Sequence, residues 1–126
     1  MNNELEKRLK QLKIEDYIWI LYIGIIILSL YSNTLERKYF LYNDNISKEK
    51  YRKITIGLFT VLVIVYAYFL NDSYSDYKDI KKEKSPKKKE LITLSFIGSL
   101  LIFISGILFL YIALSDENID VEVAFN

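Results

Sequence analysis

The hydrophobic positions of this chain fall into three long uncharged runs, and charged residues fill the segments between them. The strongest run, residues 91–114, holds 24 residues without a charge or a proline. At about 1.5 Å of rise per residue, a helix of that length reaches roughly 36 Å, and the hydrocarbon core of a bilayer is about 30 Å thick. Residues 17–35 and 54–70 are shorter, near the lower limit for a span. The pattern predicts an all-α integral membrane protein with three transmembrane helices in a small bundle.

Two of these runs admit a second interpretation. Residues 54–70 are rich in Val, Ile and Thr, which favour strands in water, but a lone strand cannot satisfy its backbone in lipid and a helix can. Residues 17–35 lie near the N-terminus, as a cleaved signal peptide would. Their charged lead-in of 16 residues is long for a signal peptide, and no small-residue cleavage site follows them. We therefore predict membrane helices for both runs.

The N-terminal segment, residues 1–16, carries a helical pattern of its own. Leu5, Leu9 and Leu12 share one helical face, with charged residues around them. This spacing predicts a short amphipathic helix from residue 3 to residue 13, lying on the inner leaflet. The alternative is a frayed and solvated lead-in, because helices this short are marginal alone.

The first connection, residues 36–53, is predicted as a polar loop. Leu35, Tyr39 and Tyr42 nevertheless keep a helical spacing. The first helix can thus continue out of the bilayer until the Asn and Asp residues at positions 43–45 break it.

The remaining polar segments are a lysine-rich loop, residues 71–90, and an acidic tail, residues 115–126. Ser85 and Pro86 near the end of the loop suit the N-cap and the first position of the third helix. The end of the tail alternates apolar and polar residues. That alternation predicts either a strand added to the sheet edge of a partner or a disordered tail.

Basic residues are distributed unequally between the two sides of the predicted membrane. With three spans, residues 1–16 and 71–90 share one side and hold eleven of the 17 Lys and Arg residues, whereas residues 36–53 hold six and the tail holds none. The positive-inside rule then predicts a multi-pass plasma-membrane protein whose N-terminus and lysine-rich loop are cytoplasmic and whose C-terminus is external. The six basic residues of the first connection leave a two-span alternative, in which residues 17–35 do not cross and both termini are external.

The composition argues against most catalytic chemistry. The chain has no cysteine and no histidine, so it lacks a thiol nucleophile, the commonest general base and the commonest metal ligand. The three runs contain no Asp, Glu, Lys or Arg, and the hydroxyl groups there have no base to activate them. A net charge of +1 argues against a nucleic-acid partner. We expect no enzyme, no cofactor and no metal site.

Small residues form a face on the third predicted helix and a weaker one on the second. The hydrophobic effect does not drive helices together in lipid, so close packing matters more there. Small residues allow helix backbones to approach closely and therefore favour such packing. This face serves packing within the chain, or contact with another copy or with a larger membrane protein. Its predicted members are Ser95, Gly98, Ser99, Ser105, Gly106 and Ala113, with Ile102 on the same side, and Gly57, Thr60 and Ala67 on the second helix.

The lysines of residues 71–90 form a second candidate surface. Beside a span, each lysine attracts the anionic headgroups of the bilayer by roughly 1 kcal/mol, and by less in salt. We predict that these lysines contact anionic lipids. They are Lys78, Lys81, Lys82, Lys84, Lys87, Lys88 and Lys89.

These features favour a small, non-catalytic integral membrane protein that acts as an accessory, immunity or regulatory subunit, through helix packing with itself or with a larger membrane protein. Heavy use of Ile, Lys, Asn and Tyr suggests a bacterial genome rich in A and T. In size and span count the chain also resembles the holins, the lysis proteins of phages, which implies a pore-forming or membrane-permeabilising oligomer as the alternative. That resemblance covers general shape only, and holins typically end in a basic tail whereas this chain ends in an acidic one.

Overall fold

A computed structural model describes residues 3–123 and shows an all-α chain. Helix α1 is Asn3–Tyr42, α2 is Asn45–Lys78 and α3 is Pro86–Ser115, with a single 3₁₀ turn at Ile80–Lys82. No β-strand occurs between residues 3 and 123. Each of the three α-helices is long and apolar enough to cross a membrane, which confirms the predicted all-α architecture with three candidate spans.

The apolar surfaces of these helices are largely exposed. Only 6% of the most apolar stretch of α3 is buried within the chain. On α1, Trp19, Ile23 and Leu30 expose 66%, 59% and 66% of their surface. Water solvates apolar surface of this extent poorly, and lipid solvates it well. The exposure therefore fits helices whose surroundings are the acyl chains of a membrane.

The predicted short amphipathic helix at the N-terminus is wrong as a separate element, because those residues are the first part of α1. The first glycine of the chain is Gly24, and no proline precedes it. Nothing in the sequence therefore stops a helix between the charged lead-in and the first span. The result is one helix of 40 residues, about 60 Å long, whose apolar middle is flanked by polar turns on both sides.

The turn between α1 and α2 consists of Asn43 and Asp44. Asn43 has a φ of 52°, and its backbone N–H donates to the carbonyl oxygen of Tyr39 at 2.8 Å, which ends α1 in a left-handed cap. Asp44 caps α2, since its carboxylate accepts hydrogen bonds from the backbone N–H of Ser47 at 3.4 Å and from the hydroxyl of Ser47 at 2.8 Å. Residues 36–53, predicted as a loop, are therefore helical except at these two positions.

The lysine-rich segment is also more helical than a loop, because α2 continues to Lys78. The connection to α3 covers residues 79–85 and contains the 3₁₀ turn. Ser85 is the N-cap of α3, with its hydroxyl accepting from the backbone N–H of Lys88 at 3.3 Å, and Pro86 is the first helical residue. Both roles were predicted and are confirmed.

The chain divides into two compact units, Met1–Tyr51 and Arg52–Asn126. In the first unit, α1 turns back into the start of α2, and the Nζ of Lys48 lies 5.3 Å from the centroid of the Tyr39 ring, a cation–π contact. In the second unit, the rest of α2 packs against α3. Both candidate surfaces lie in this second unit.

The acidic tail turns after α3 instead of extending it. The Asp116 carboxylate accepts a hydrogen bond from the backbone N–H of Val121 at 2.7 Å, which holds the pKa of Asp116 below its usual value. Ile119, inside this turn, has a φ of 57°. The described part of the tail ends at Val123 and forms no strand. Residues 124–126, the end of the predicted alternating segment, lie outside the described residues.

Candidate functional site

Three of the predicted small residues, Ser99, Gly106 and Ala113, recur at seven-residue intervals on α3. Seven residues are close to two helical turns, so these positions share one side of the helix. The Oγ of Ser99 lies 2.8 Å from the Oγ of Ser73 on α2, while Gly106 and Ala113 are buried. This side of α3 therefore packs within the chain, which is one of the two uses predicted for small residues.

Of the four glycines, Gly106 is the one that packs tightly against a neighbouring helix. A Cβ atom at this position would lie 3.0 Å from Cδ2 of Tyr66 and 3.3 Å from Cγ2 of Val63. Ordinary van der Waals contact needs more space than 3.0 Å, so a side chain here would require the Tyr66 ring to move. The absence of a side chain at Gly106 thus permits the observed helix separation.

Aromatic side chains fill the interface on either side of this contact. Phe59 on α2 and Phe109 on α3 have ring centroids 5.8 Å apart. Towards the other end, Phe96 of α3 stacks on Tyr77 of α2, with centroids 4.8 Å apart and ring planes 19° apart. Tyr74 contacts the same phenyl ring at 5.8 Å. These pairs are in the range of favourable aromatic contacts and hold the two helices in register.

The remaining small residues of α3 are not buried. Ser95 and Ser105 are exposed and Gly98 is partly exposed; apart from its chain neighbours and its own helix backbone, no atom of residues 3–123 lies within 4 Å of where a Cβ of Gly98 would be. Ile102, on the same side of the helix as Ser95, exposes 51% of its surface. Only part of the predicted packing face is therefore buried between α2 and α3. The part that is left open, which we call the outer face, comprises Ser95, Gly98 and Ser105.

The predicted small residues of α2 also lie away from the contact with Gly106. Gly57 is exposed, and apart from its chain neighbours and its own helix backbone no atom of residues 3–123 lies within 4 Å of its Cβ position. Thr60 is exposed, and its hydroxyl donates to the carbonyl oxygen of Ile56 on its own helix at 2.7 Å. Ala67 is partly exposed and lines a groove described below. The structure does not bring these three residues together with Ser99 and Gly106.

The seven predicted lipid-contacting lysines gather at the end of the α2–α3 pair where the two helices connect. Three of them have acidic partners: Lys82 with Asp79 at 3.8 Å, Lys87 with Glu90 at 3.7 Å and Lys88 with Glu83 at 3.2 Å. The other four are Lys78 in the last turn of α2, Lys81 and Lys84 in the connection, and Lys89 in the first turn of α3.

Glu83 organises the connection beside these lysines. Its carboxylate accepts hydrogen bonds from the backbone N–H groups of Ser85 and Lys84, at 3.3 Å and 3.2 Å. The hydrogen bond from Ser85, together with that from the Lys88 side chain, holds the pKa of Glu83 below its usual value. The carboxylate is therefore ionised at neutral pH, which keeps Lys88 paired.

An apolar groove lies between the two helices close to this cationic end. Its volume is about 340 Å³, and it is open along one side. Hydrophobic periodicity does not predict such a groove, because its walls come from two helices whose mutual register depends on particular contacts such as Ser73–Ser99. The lining residues are Ala67, Leu70, Asn71 and Tyr74 of α2 with Phe96 and Leu100 of α3.

Comparisons with protein-family models, with curated proteins and with solved structures give no match to this chain.

Proposed function

We propose that this chain is a small, non-catalytic integral protein of a bacterial plasma membrane, an accessory, immunity or regulatory subunit that packs with itself or with a larger membrane protein. The outer face of α3 carries this proposal. Ser95, Gly98 and Ser105 are small and lie within the predicted third span; Ser95 and Ser105 are exposed, and the Cβ position of Gly98 is open. Small residues at such positions allow close helix approach in lipid.

The chemistry of the spans supports a non-catalytic role. Residues 17–35, 54–70 and 91–114 contain no Asp, Glu, Lys or Arg. Proton relays, ion pathways and substrate sites at membrane depth usually depend on such groups, because only function offsets their cost there. A protein built to pack its spans against another protein needs none of them.

The same proposal includes an orientation and a lipid partner. The N-terminus and the lysine-rich segment are placed in the cytoplasm and the acidic C-terminus outside, because eleven of the 17 basic residues then lie on the cytoplasmic side. The cytoplasmic leaflet is the anionic one, so the seven lysines at the connection of α2 and α3 lie beside anionic headgroups.

A pair of matched glycine variants tests the packing role. Gly98→Leu adds bulk to the outer face where space is open, whereas Gly106→Leu adds the same bulk inside the α2–α3 contact. We expect Gly98→Leu to keep the stability of the purified protein and to abolish its self-association, or its co-purification with a larger membrane protein. Gly106→Leu should lower stability. Assembly of Gly98→Leu and of Ser95→Leu identical to wild type would overturn the proposal.

A permeability assay separates this role from the holin-like alternative. The full chain is expressed in bacteria together with a dye that enters only cells with a damaged membrane. We expect no dye uptake upon induction, since an accessory protein opens no pathway. Dye uptake that requires Ser95 and Ser105, the hydroxyl groups of the outer face, would favour the pore-forming oligomer instead.

A further inference from the structure

Aromatic contacts hold one wall of the apolar groove between α2 and α3 in place. Phe96 forms part of it, and the stacked ring of Tyr77 on one side and the Tyr74 ring at 5.8 Å hold the phenyl group in place. Nearly all of the exposed lining is apolar. The groove is therefore an apolar feature of the second unit whose aromatic wall is held by ring contacts on both helices.

Two lysines stand on the faces that line this groove. On α2, Ala67, Asn71, Tyr74 and Lys78 follow one another at steps of four, three and four residues, so Lys78 lies one turn beyond Tyr74 on the same face. On α3, Lys89 precedes Phe96 by seven residues, which is about 10 Å along the same side. Both walls of the groove thus lead to a cation at the membrane surface.

These two lysines, like Lys81 and Lys84, differ from the other three of the cluster in their electrostatic surroundings. Lys82, Lys87 and Lys88 have carboxylate partners within 4 Å. Lys78 and Lys89 have no ion pair among residues 3–123, and both are exposed. The two lysines on the groove faces therefore have no carboxylate partner within 4 Å among residues 3–123.

We infer that this groove is a binding site for one acyl chain of an anionic phospholipid, whose phosphate group is held by Lys78 and Lys89. An apolar cleft that ends at two cations is complementary to a molecule with an apolar chain and an anionic head. Such a molecule is already at hand in the cytoplasmic leaflet. This inference rests on the proposed membrane orientation, and it adds a discrete site to the general attraction of the lysine cluster for lipid.

Native mass spectrometry of the full chain, released from detergent, tests the site. The probes are palmitoyl-oleoyl phosphatidylglycerol, which is anionic, and the phosphatidylcholine with the same chains. We expect wild-type protein to retain one phosphatidylglycerol molecule in preference to phosphatidylcholine. The variant Lys78→Gln/Lys89→Gln should bind phosphatidylglycerol about tenfold more weakly and should lose the preference. Ala67→Phe, which fills the groove, should reduce retention of both lipids.

Matched control variants distinguish a discrete lipid-binding site from the general electrostatic attraction of the lysine cluster for anionic lipid. Lys82→Gln/Lys84→Gln removes the same charge outside the groove faces, and Gly57→Phe adds an aromatic ring at an exposed position of α2. Gly57→Phe should bind phosphatidylglycerol as wild type does. Lys82→Gln/Lys84→Gln should weaken this binding clearly less than the groove pair does, because it removes only part of the general attraction of the lysine cluster. A loss for Lys82→Gln/Lys84→Gln as large as for the groove pair would overturn the inference, and so would wild-type protein without any lipid preference.

A second groove variant keeps the test decisive if Ala67→Phe misfolds. Leu100→Trp narrows the groove from α3, and circular dichroism checks the helix content of both variants. If both fold and still retain phosphatidylglycerol, the inference is wrong. If they retain the lipid but lose a co-purifying membrane protein, the groove binds protein and the inference is again wrong. The Gly98→Leu assembly test is independent of all these readouts, so failure of the lipid site is distinguishable from failure of the proposed packing role.

Discussion

Ser73 on α2 and Ser99 on α3 share a hydrogen bond, with their Oγ atoms 2.8 Å apart. The bond is half-buried and lies on the side of α3 that also carries Gly106. One helical turn is about 5.4 Å, so a slide of α3 by one turn would separate the two hydroxyls and would also place a larger side chain against Tyr66. The hydroxyl pair and the glycine contact therefore specify one register for the two helices.

Removal of either hydroxyl should weaken this pair modestly. Hydrogen bonds between membrane helices contribute about 0.6 kcal/mol on average, so we expect Ser73→Ala and Ser99→Ala each to lose roughly that much unfolding free energy. The double variant should lose little more than the worse single variant, since both substitutions remove the same bond. Titration with SDS in mixed micelles measures the unfolding free energy of the two single variants and of the double variant. Ser105→Ala, on the outer face, is the control, and strictly additive losses would show that the two serines do not act as a pair.

Gly106 should tolerate even one methyl group poorly. Gly106→Ala places a Cβ 3.0 Å from the Tyr66 ring, and overpacking of this kind costs about 1–3 kcal/mol. Gly98→Ala meets open space, and the better helix propensity of alanine should make it neutral or slightly stabilising. The same SDS titration compares them. Tyr66→Leu, which removes the ring, should reduce the cost of Gly106→Ala, and an unchanged cost in that background would show that the ring is not the obstacle.

The cap of α2 makes a part of the structure sensitive to acid. Hydrogen bonds from the side chain and the backbone of Ser47 hold the pKa of Asp44 below its ordinary value of 3.8. A carboxyl group with a lowered pKa in the folded state stabilises that state above its unfolded pKa, and the contribution disappears as the pH falls through the lowered value. We therefore expect the first turn of α2 to keep its cap at neutral pH and to fray below about pH 3.8.

Hydrogen exchange of the α2 N-terminus tests this cap. At neutral pH, Asp44→Ala should exchange several-fold faster at Ile46 and Ser47, because the acceptor of their backbone N–H groups is gone. Asp44→Asn is the matched control, since its amide oxygen still caps the helix but does not titrate. After correction for the intrinsic exchange rate at each pH, the protection of these amides in Asp44→Asn should stay constant in acid, whereas their protection in the wild type should fall. Equal acid sensitivity of Asp44→Asn would assign the fraying to another group.

The features of the fold that the sequence predicted correctly depend on local signals. The uncharged runs predicted the three candidate spans because the hydrophobicity of each residue can be read directly from the sequence. Ser85 and Pro86 predicted the start of α3 because an N-cap acts within one helical turn. The N-terminal helix was predicted too short because a change from polar to apolar residues marks the membrane surface and not a helix end. Which small residues contact α2 and which form the outer face was not predictable. Helical periodicity shows which residues share a side of α3, but it does not show which helix packs against that side.

The orientation can be tested cleanly because the chain has no cysteine, so each single-cysteine variant reports one position. Glu6→Cys, Asn45→Cys, Asp76→Cys and Glu117→Cys are all at exposed sites, and each leaves all 17 Lys and Arg residues in place. A membrane-impermeant maleimide on intact cells should label Asn45→Cys and Glu117→Cys, whereas the other two should react only after the membrane is permeabilised. The proposed three-span orientation predicts this pattern because the positive-inside rule places eleven basic residues with Glu6 and Asp76. Labelling of Glu6→Cys on intact cells together with Asn45→Cys would instead show that residues 17–35 do not cross, and a fully reversed pattern would show an inverted protein.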